Sequence, residues 1–166
     1  MTVSSRSATV TLPTDEQILI VREFDSPRHL VWKAFTTPEL VRRWWHAKRG
    51  EMTGCEMDLR EGGRWRYAMV TPDGVEVAFH GDYLEVVPEE RVVTRELYEG
   101  LPEGVSAQDA ATINTATLTE SDGRTTLTIL IQAANKASRD AIVASGMEDG
   151  LQDALDLLEE TAVAFG

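Results

Sequence analysis

The feature that most constrains this chain is an amphipathic pattern near its C-terminal end. Apolar residues recur there at intervals of 4, 4, 3 and 4, at Met147, Leu151, Leu155, Leu158 and Ala162. A neighbouring stripe is acidic and is expected to face solvent; it comprises Asp149, Asp153, Asp156 and Glu160. At about 3.6 residues per turn, this spacing predicts a helix of about five turns with one apolar face. The rest of the chain must therefore supply a large apolar surface to cover that face.

The middle of the chain predicts this surface as a β-sheet. Between residues 50 and 133, apolar and β-branched segments alternate with turn signals such as Pro72-Asp73-Gly74 and Ser121-Asp122-Gly123. With one further segment near the start, we predict about seven strands, at 16–24, 52–59, 64–71, 75–87, 91–98, 113–119 and 125–133. Six of them are consecutive, which favours an antiparallel meander.

Short helices are predicted on both sides of these strands. Ser26-Pro27 and Thr37-Pro38 are helix-start signals, and they predict helices at 27–36 and 38–45, between the first two strands. Ser138 is expected to cap another short helix, which a glycine separates from the long C-terminal one.

The chain is predicted to form a single domain. Residues 1–15 are rich in Ser and Thr and are predicted to be a flexible N-terminal tail, in which residues 8–12 have the composition of a short strand. Residues 16–166 contain no internal repeat and no linker, so we assign them to one domain. Its predicted class is α+β, with a curved antiparallel sheet around the C-terminal helix and the two short helices at one end.

This architecture predicts an internal cavity. A strongly curved sheet cannot close against a straight helix along its whole length, so we expect unfilled space between them. Concave and mostly apolar spaces of this kind are the usual setting of small-molecule sites. The predicted wall comprises Trp45, Trp65, Tyr67, Met69, Phe79, Tyr83, Tyr98, Met147, Leu151 and Leu155.

Strand alternation supports part of this list. Successive side chains point to opposite faces of a strand, so Trp65, Tyr67 and Met69 share one face. The same rule allows only one of Phe79 and His80 to point inward, and the apolar Phe79 is the favoured one. In such a fold the inward-facing core residues are also the pocket wall, so no single residue is assigned a specific ligand contact.

Composition excludes several classes of function. The chain has 16 Lys and Arg against 28 Asp and Glu, a net charge of -12, which would repel a phosphate backbone. No apolar run approaches the ~20 residues of a membrane helix, and the start lacks the apolar core of a secretion signal. We therefore expect a cytoplasmic protein with no nucleic-acid partner and no membrane insertion.

No catalytic or metal motif stands out. The histidines His29, His46 and His80 lie in different elements without metal-ligand spacing, so no metal or other cofactor is predicted. The chain has no GxxxxGK[ST] phosphate loop and no GxSxG elbow, so neither ATP hydrolysis nor serine-hydrolase chemistry is expected. Cys55 is interpreted as a small strand residue, and His46 as an exposed loop histidine.

One carboxylate receives a specific expectation. Glu85 would be costly on a concave face unless it were paired, and Arg66 and Arg95 are its candidate partners. The favoured interpretation is an outward cross-strand salt bridge, which would contribute under ~1 kcal/mol.

Three stretches of the chain, in this order and spacing, point to one family. They read VREFDSPRHLVWKAFTTPELVRRWW, EGGRWRYAMVTPDGVEVAFHGDYLEVVPEERVV and RDAIVASGMEDGLQDALDLLEE. They resemble the Activator-of-Hsp-ATPase-homologue branch of the START-like superfamily, and the resemblance spans about residues 16–164. It implies a helix-grip fold with a hydrophobic cavity, and it implies no particular reaction.

Two positions depart from the pattern of that branch. Its members often have Gly-Pro after the tryptophan pair, where this chain has His46-Ala47, so the following loop is expected to differ. They also often have an aromatic residue after Gly150, where this chain has Leu151, so the wall is expected to be less aromatic there.

We therefore predict that the protein binds a small apolar or amphipathic molecule, as a carrier, sensor or binding module without evident catalysis. Two alternatives stay open. A polyketide cyclase- or aromatase-like enzyme, as among relatives with this fold, would need acid and base groups placed deep in the cavity. A chaperone-associated interaction module would need an exposed binding patch. The sequence also leaves open a homodimer and a chaperone partner.

Overall fold

One curved antiparallel sheet organises the computed structural model, which describes residues 7–165. Its strands are β1 (Thr9–Thr11), β2 (Gln17–Phe24), β3 (Glu51–Met57), β4 (Arg64–Val70), β5 (Glu76–Val87), β6 (Arg91–Tyr98), β7 (Thr112–Ser121) and β8 (Arg124–Gln132). They are ordered β1-β2-β8-β7-β6-β5-β4-β3. The six consecutive strands β3 to β8 thus form the predicted meander, and β2 pairs with β8.

The sheet has eight strands rather than the seven that the sequence predicts. The additional strand is β1, in which Val10 lies opposite Ile20 of β2. The adjacent Ala8 is also held in place, because its backbone N–H and C=O exchange hydrogen bonds of 2.8 Å with the Gln152 side chain. This strand confirms the short strand that the composition of residues 8–12 indicated inside the predicted N-terminal tail, of which residues 1–6 lie outside the described part of the chain. Its partners are remote in sequence, so local composition could not reveal the pairing.

Five helices accompany the sheet in the described residues. They are α1 (Arg28–Thr36), α2 (Pro38–Val41), α3 (Ala107–Ala110), α4 (Lys136–Ala144) and α5 (Met147–Ala164). The helices α1 and α2 lie between β2 and β3, as predicted, although α2 gives way to turns after Val41. None of the helices in residues 7–165 is long and apolar enough to cross a membrane. Gly146 adopts φ 83°, a left-handed conformation that suits glycine and separates α4 from α5.

Two helix starts differ from the sequence prediction. The cap of α4 is Asn135, whose side chain accepts the backbone N–H of Ser138 at 2.8 Å, so the helix begins before Ser138. At α1 no side chain caps the helix. Ser26 is instead buried, and its carbonyl accepts a hydrogen bond of 2.7 Å from the Thr125 hydroxyl.

The apolar face of α5 is buried against the concave face of the sheet. Leu155, Leu158 and Ala162 are at most 2% exposed. The strand residues in the same apolar cluster include Ile18, Ile20, Phe24, Leu118 and Leu127. This packing confirms the predicted role of the C-terminal amphipathic pattern.

A buried arginine also joins α5 to the sheet. The Arg22 side chain is fully buried and donates from Nη1 to Asp156 at 2.7 Å and from Nη2 to Glu159 at 3.4 Å. Its guanidinium lies 5.0 Å from the centre of the Phe24 ring. The expectation that the acidic stripe is simply solvated is therefore wrong for Asp156. A second acidic residue of the stripe, Asp153, pairs with Arg49 at 2.9 Å.

Truncation of Leu158 tests how much the fold depends on this packing. Because Leu158 is fully buried, Leu158→Ala should lower the free energy of unfolding by about 2–5 kcal/mol in a chemical denaturation series. The matched control is Leu12→Ala, at a leucine that is 49% exposed, which should change it by less than about 0.5 kcal/mol. Equal effects at the two positions would contradict the assignment of α5 as the core helix.

Candidate functional site

Five aromatic side chains gather on the inner face of β4, β5 and β6. Tyr67, Phe79 and Tyr98 lie opposite one another across these strands. The ring centroids are 4.9 Å apart for Trp65 and Tyr67, and 5.0 Å apart for Phe79 and Tyr98. Trp45, from the turns after α2, meets Tyr67 and Phe79 edge-on at 5.6 and 5.8 Å. We call these five residues the aromatic cluster.

The other predicted wall residues have different surroundings. Tyr83 is buried beside Trp65 in a small apolar cluster of its own. Met147 and Leu151 are half-buried and pack with the buried Leu155 against the main core. Met69 is buried at the end of β4 but belongs to neither apolar cluster. The predicted residues therefore lie mainly on β4–β6, with Met147, Leu151 and Leu155 on α5.

A second row of residues crosses the same inner face. Trp65, Gly81, Glu96 and Thr112 lie opposite one another on β4, β5, β6 and β7. A Cβ on Gly81 would overlap the Arg95 carbonyl and lie 3.1 Å from Nε1 of the Trp65 indole. Because Gly81 has no side chain, the Trp65 indole can lie against the backbone of β5 at this position. Glu96 is the next residue in the same row, on β6. We call Glu96, Thr112 and the neighbouring Asn114 the inner polar group.

Glu96 is the functional candidate that the sequence reasoning missed. Asn114 donates from Nδ2 to its Oε2 at 3.0 Å. Burial raises the pKa of Glu96, and the Asn114 hydrogen bond opposes that rise. Alternation along β6 was the available signal, because Glu96 is two residues from Tyr98, which was predicted to point inward.

Two phenols and a thiol lie on the same face of the sheet, and of these Tyr67 is the one whose pKa Glu96 affects. Burial raises the pKa of Tyr67 well above its usual range, and the nearby Tyr83, Cys55 and Glu96 raise it further. Burial also raises the pKa of Tyr83 to about 12 and that of Cys55 to about 11. A thiol with such a pKa is protonated at neutral pH and is a poor nucleophile. These groups can therefore act as hydrogen-bonding groups, but Cys55 is not equipped for covalent catalysis.

Several buried polar atoms on this face are unpaired. Trp65 Nε1, Thr112 Oγ1 and Asn114 Oδ1 have no hydrogen-bond partner among residues 7–165. Trp65 and Thr112 are each only 5% exposed. Since buried polar groups in proteins are nearly always hydrogen-bonded, three unpaired atoms on this face near Glu96 make this part of the sheet unusual.

A different set of polar residues lies on the outer face of the sheet. Glu99 accepts from Arg66 at 2.8 Å and contacts His80 Nδ1 at 2.9 Å, beside a groove of about 610 Å³. The hydrogen bonds from Arg66 and then from His80 lower the pKa of Glu99. His80 thus points outward and Phe79 inward, as predicted. These outer charges satisfy one another.

The predicted partners of Glu85 are wrong, although its outward position is confirmed. Glu85 pairs with Arg91, and both side chains are 41% exposed. Arg66 pairs instead with Glu99, and Arg95 with Asp82. The reason is an irregularity in β5 between Tyr83 and Glu85, which shifts the register against β6.

The histidines do not assemble a metal site in the described part of the chain. No three His, Cys, Asp or Glu side chains in residues 7–165 have a suitable arrangement. His46 accepts the backbone N–H of Lys48 at Nδ1, at 3.0 Å. The loop that was expected to differ here has positive φ at Ala47 and Lys48, 52° and 63°.

The chain matches one known protein family. Residues 25–162 match the family described as Activator of Hsp90 ATPase homolog 1-like protein. The chain belongs to this family. No curated protein matches it.

Solved structures of similar proteins agree with this assignment. A protein from Rhodobacter sphaeroides is 25% identical with a TM-score of 0.85, over 95% of this chain and 99% of that one. A protein from Nitrosomonas europaea is 24% identical with a TM-score of 0.80, over 93% and 98% of the two chains. An AHSA1-like protein from Aeromonas hydrophila is 22% identical with a TM-score of 0.64, over 89% and 94%. The fold is the START-like helix-grip fold, as the sequence resemblance implied.

Replacement of Glu96 by glutamine tests the burial of this carboxyl group. Its pKa is raised above 4.5 in the folded protein, so its contribution to stability is full below that pH and is lost as the pH rises through the folded pKa. Glu96→Gln cannot ionise. The free energy of unfolding of the variant, relative to the unmodified protein, should therefore rise as the pH increases above about 4.5.

The matched control is Glu103→Gln, in the exposed loop before α3. Its difference from the unmodified protein should be nearly constant over the same pH range. If the difference in free energy of unfolding between Glu96→Gln and the unmodified protein did not change with pH, Glu96 would not be held in a desolvated position.

Proposed function

We propose that this protein binds a small apolar or amphipathic molecule between the inner face of the sheet and α5. The observation that carries the proposal concerns Tyr67 and Glu96. Both lie deep enough for burial to dominate their pKa values, yet both residues keep a partly accessible surface. In a close-packed interior, inward-facing residues at that depth would have almost no such surface. Their surroundings therefore favour an internal space rather than a filled core.

Neighbouring strands support the same interpretation. Ile129 and Ile131 of β8 lie opposite Ile20 and Ile18 of β2 and share their face. The β2 residues are at most 1% exposed, whereas both β8 residues are only half-buried. On α5, Leu151 and Ala154 are likewise half-buried, whereas Leu155 is almost fully buried. Packing is thus tighter at these β2 residues than at Ile129 and Ile131 of β8 and at Leu151 and Ala154 of α5.

Such a space suits a carrier, sensor or binding module. Its apolar lining would provide most of the affinity, at about 25 cal/mol per Å² of apolar surface buried, before the costs of association. The aromatic cluster offers large flat surfaces, and the inner polar group offers hydrogen bonds at one position. This combination of an apolar wall with few polar groups is typical of small-molecule sites.

One observation also favours a second candidate, a cyclase- or aromatase-like enzyme. Such an enzyme needs a proton-transfer group deep in its pocket, and Glu96 is a buried carboxyl group with a raised pKa. The phenols of Tyr67 and Tyr83 would be available to orient a carbonyl group. The present geometry supplies these groups but shows no positioned pair of acid and base, so binding is the function that it supports best.

Filling the proposed space tests the binding function. N-phenyl-1-naphthylamine, an uncharged apolar dye, should fluoresce more strongly and at shorter wavelength with the unmodified protein. Leu151→Trp places a larger ring on the inner side of α5, so it should weaken dye binding about tenfold or more. Val143→Trp is the matched control on α4, where the valine is 42% exposed, and it should leave binding unchanged.

Native mass spectrometry, followed by denaturation, provides an independent measurement. A stoichiometric apolar adduct that is released on unfolding would support a constitutive carrier. Failure of the unmodified protein to bind the dye, together with a clean apo mass, would overturn the proposal. The outer groove beside Glu99 and a protein partner such as a chaperone would then be the better explanation.

A further inference from the structure

We propose that the inner polar group recognises the primary ammonium group of an amphipathic ligand whose apolar body lies against the aromatic cluster. This inference rests on the proposed binding function and adds the chemical class of the ligand. It follows from the types of hydrogen-bonding atoms at Glu96, Asn114 and Thr112, from the local charge, and from the rings that surround them.

The available atoms are mainly acceptors. Glu96 and Thr112 lie opposite each other on β6 and β7, and Asn114 follows two residues along on the same face. Asn114 uses Nδ2 to hold Oε2 of Glu96 at 3.0 Å, which directs its unpaired Oδ1 to other partners. The second carboxylate oxygen of Glu96 and the unpaired Thr112 Oγ1, a hydroxyl that can accept as well as donate, bring the acceptors on these two neighbouring strands to three. A primary ammonium carries three N–H donors, so it matches them in number.

The charge around Glu96 also favours a cation. No Lys, Arg or His among residues 7–165 forms an ion pair with Glu96. Arg22, the buried arginine on the inner face, is already paired with Asp156 and Glu159. A buried carboxylate without a counter-charge is unfavourable, and an ammonium group would provide that charge. A carboxylate or phosphate on the ligand would instead be repelled, as would most anions by a chain of net charge -12.

The aromatic cluster borders this group. Trp65 lies in the same row as Glu96, and Tyr98 is two residues away on the same face of β6. Aromatic faces attract cations, and they also provide the apolar surface that the rest of the ligand needs. Trp65 Nε1 is a buried donor without a partner in the described residues, which suits an oxygen atom near the amine.

Competition between three matched ligands tests the inference. n-Octylamine, octan-1-ol and octanoate share one chain and differ in the terminal group, which is cationic, neutral and anionic at pH 7.5. Each would displace N-phenyl-1-naphthylamine from the protein. Because hydrogen bonds to charged groups are stronger than neutral ones, octylamine should compete at a concentration about tenfold lower than octan-1-ol. Octanoate should be the weakest of the three.

Variants assign the preference to individual residues. Glu96→Gln should bring octylamine to the level of octan-1-ol, and an unchanged circular dichroism spectrum would show that the variant is folded. Thr112→Val keeps the shape of the side chain and removes an acceptor, so it should weaken octylamine about threefold or more relative to octan-1-ol. Glu85→Gln, on the outer face, removes a carboxylate from elsewhere on the sheet and should change neither ligand.

The outcomes separate this inference from the proposed function. If the dye binds but octylamine is no better than octan-1-ol, the ammonium site is wrong and the cavity stands. A preference for octan-1-ol would mean that Glu96 binds a neutral hydroxyl group of the ligand, and it would equally overturn the inference. If Glu96→Gln fails to fold, an unchanged octylamine preference in Thr112→Val overturns it. Absence of binding by the dye and by all three ligands overturns both proposals.

Discussion

Burial of one face of α5 against the sheet is the constraint on which the rest of the molecule depends. The apolar residues of that face have no other large surface to cover them, and Leu155, Leu158 and Ala162 are nearly inaccessible in the structure. Arg22 fixes the position of the helix, because its guanidinium is buried and paired with two carboxylates of α5. A buried ion pair of this kind adds geometric specificity even where its net stabilisation is small. Helix and sheet are thereby held in one fixed arrangement.

The sheet meets its helix in two different ways. At β2 the contact is dry and close, with Ile18, Ile20 and Phe24 at most 1% exposed. Toward β4–β6 the inner face instead carries aromatic rings, a carboxyl group and unpaired polar atoms. The close packing at β2 provides stability. The part of the inner face on β4–β6 can therefore carry polar groups that would weaken an ordinary core. One surface of the sheet thus combines an apolar structural part with a part that holds buried polar groups.

Sequence reasoning could predict the architecture because the governing signals are local and periodic. The 4, 4, 3, 4 spacing of α5, the alternation on β4 and the Pro-Asp-Gly turn each depend on a few neighbouring residues, and the ordered landmarks of the family add to them. Pairings between distant residues were beyond such reasoning. β1 depends on Ile20 and Gln152, Glu85 depends on an irregular register, and Arg22 lies in an apolar strand where its partners are over 130 residues away. Glu96 was missed because charged residues are assigned to the outside by default, although its alternation with Tyr98 places it inside.

The hydrogen bonds between Ala8 and Gln152 have a consequence for how the chain is made. They join positions 144 residues apart, and the helix that covers the inner face is the last element of the described chain. During translation, the complete sheet therefore emerges before the helix that shields it, and its aromatic rings face solvent until α5 leaves the ribosome. Folds that wait for such distant contacts form slowly and expose apolar surface meanwhile. The inner face of this sheet is therefore covered only once α5, which follows all eight strands in the chain, has been made.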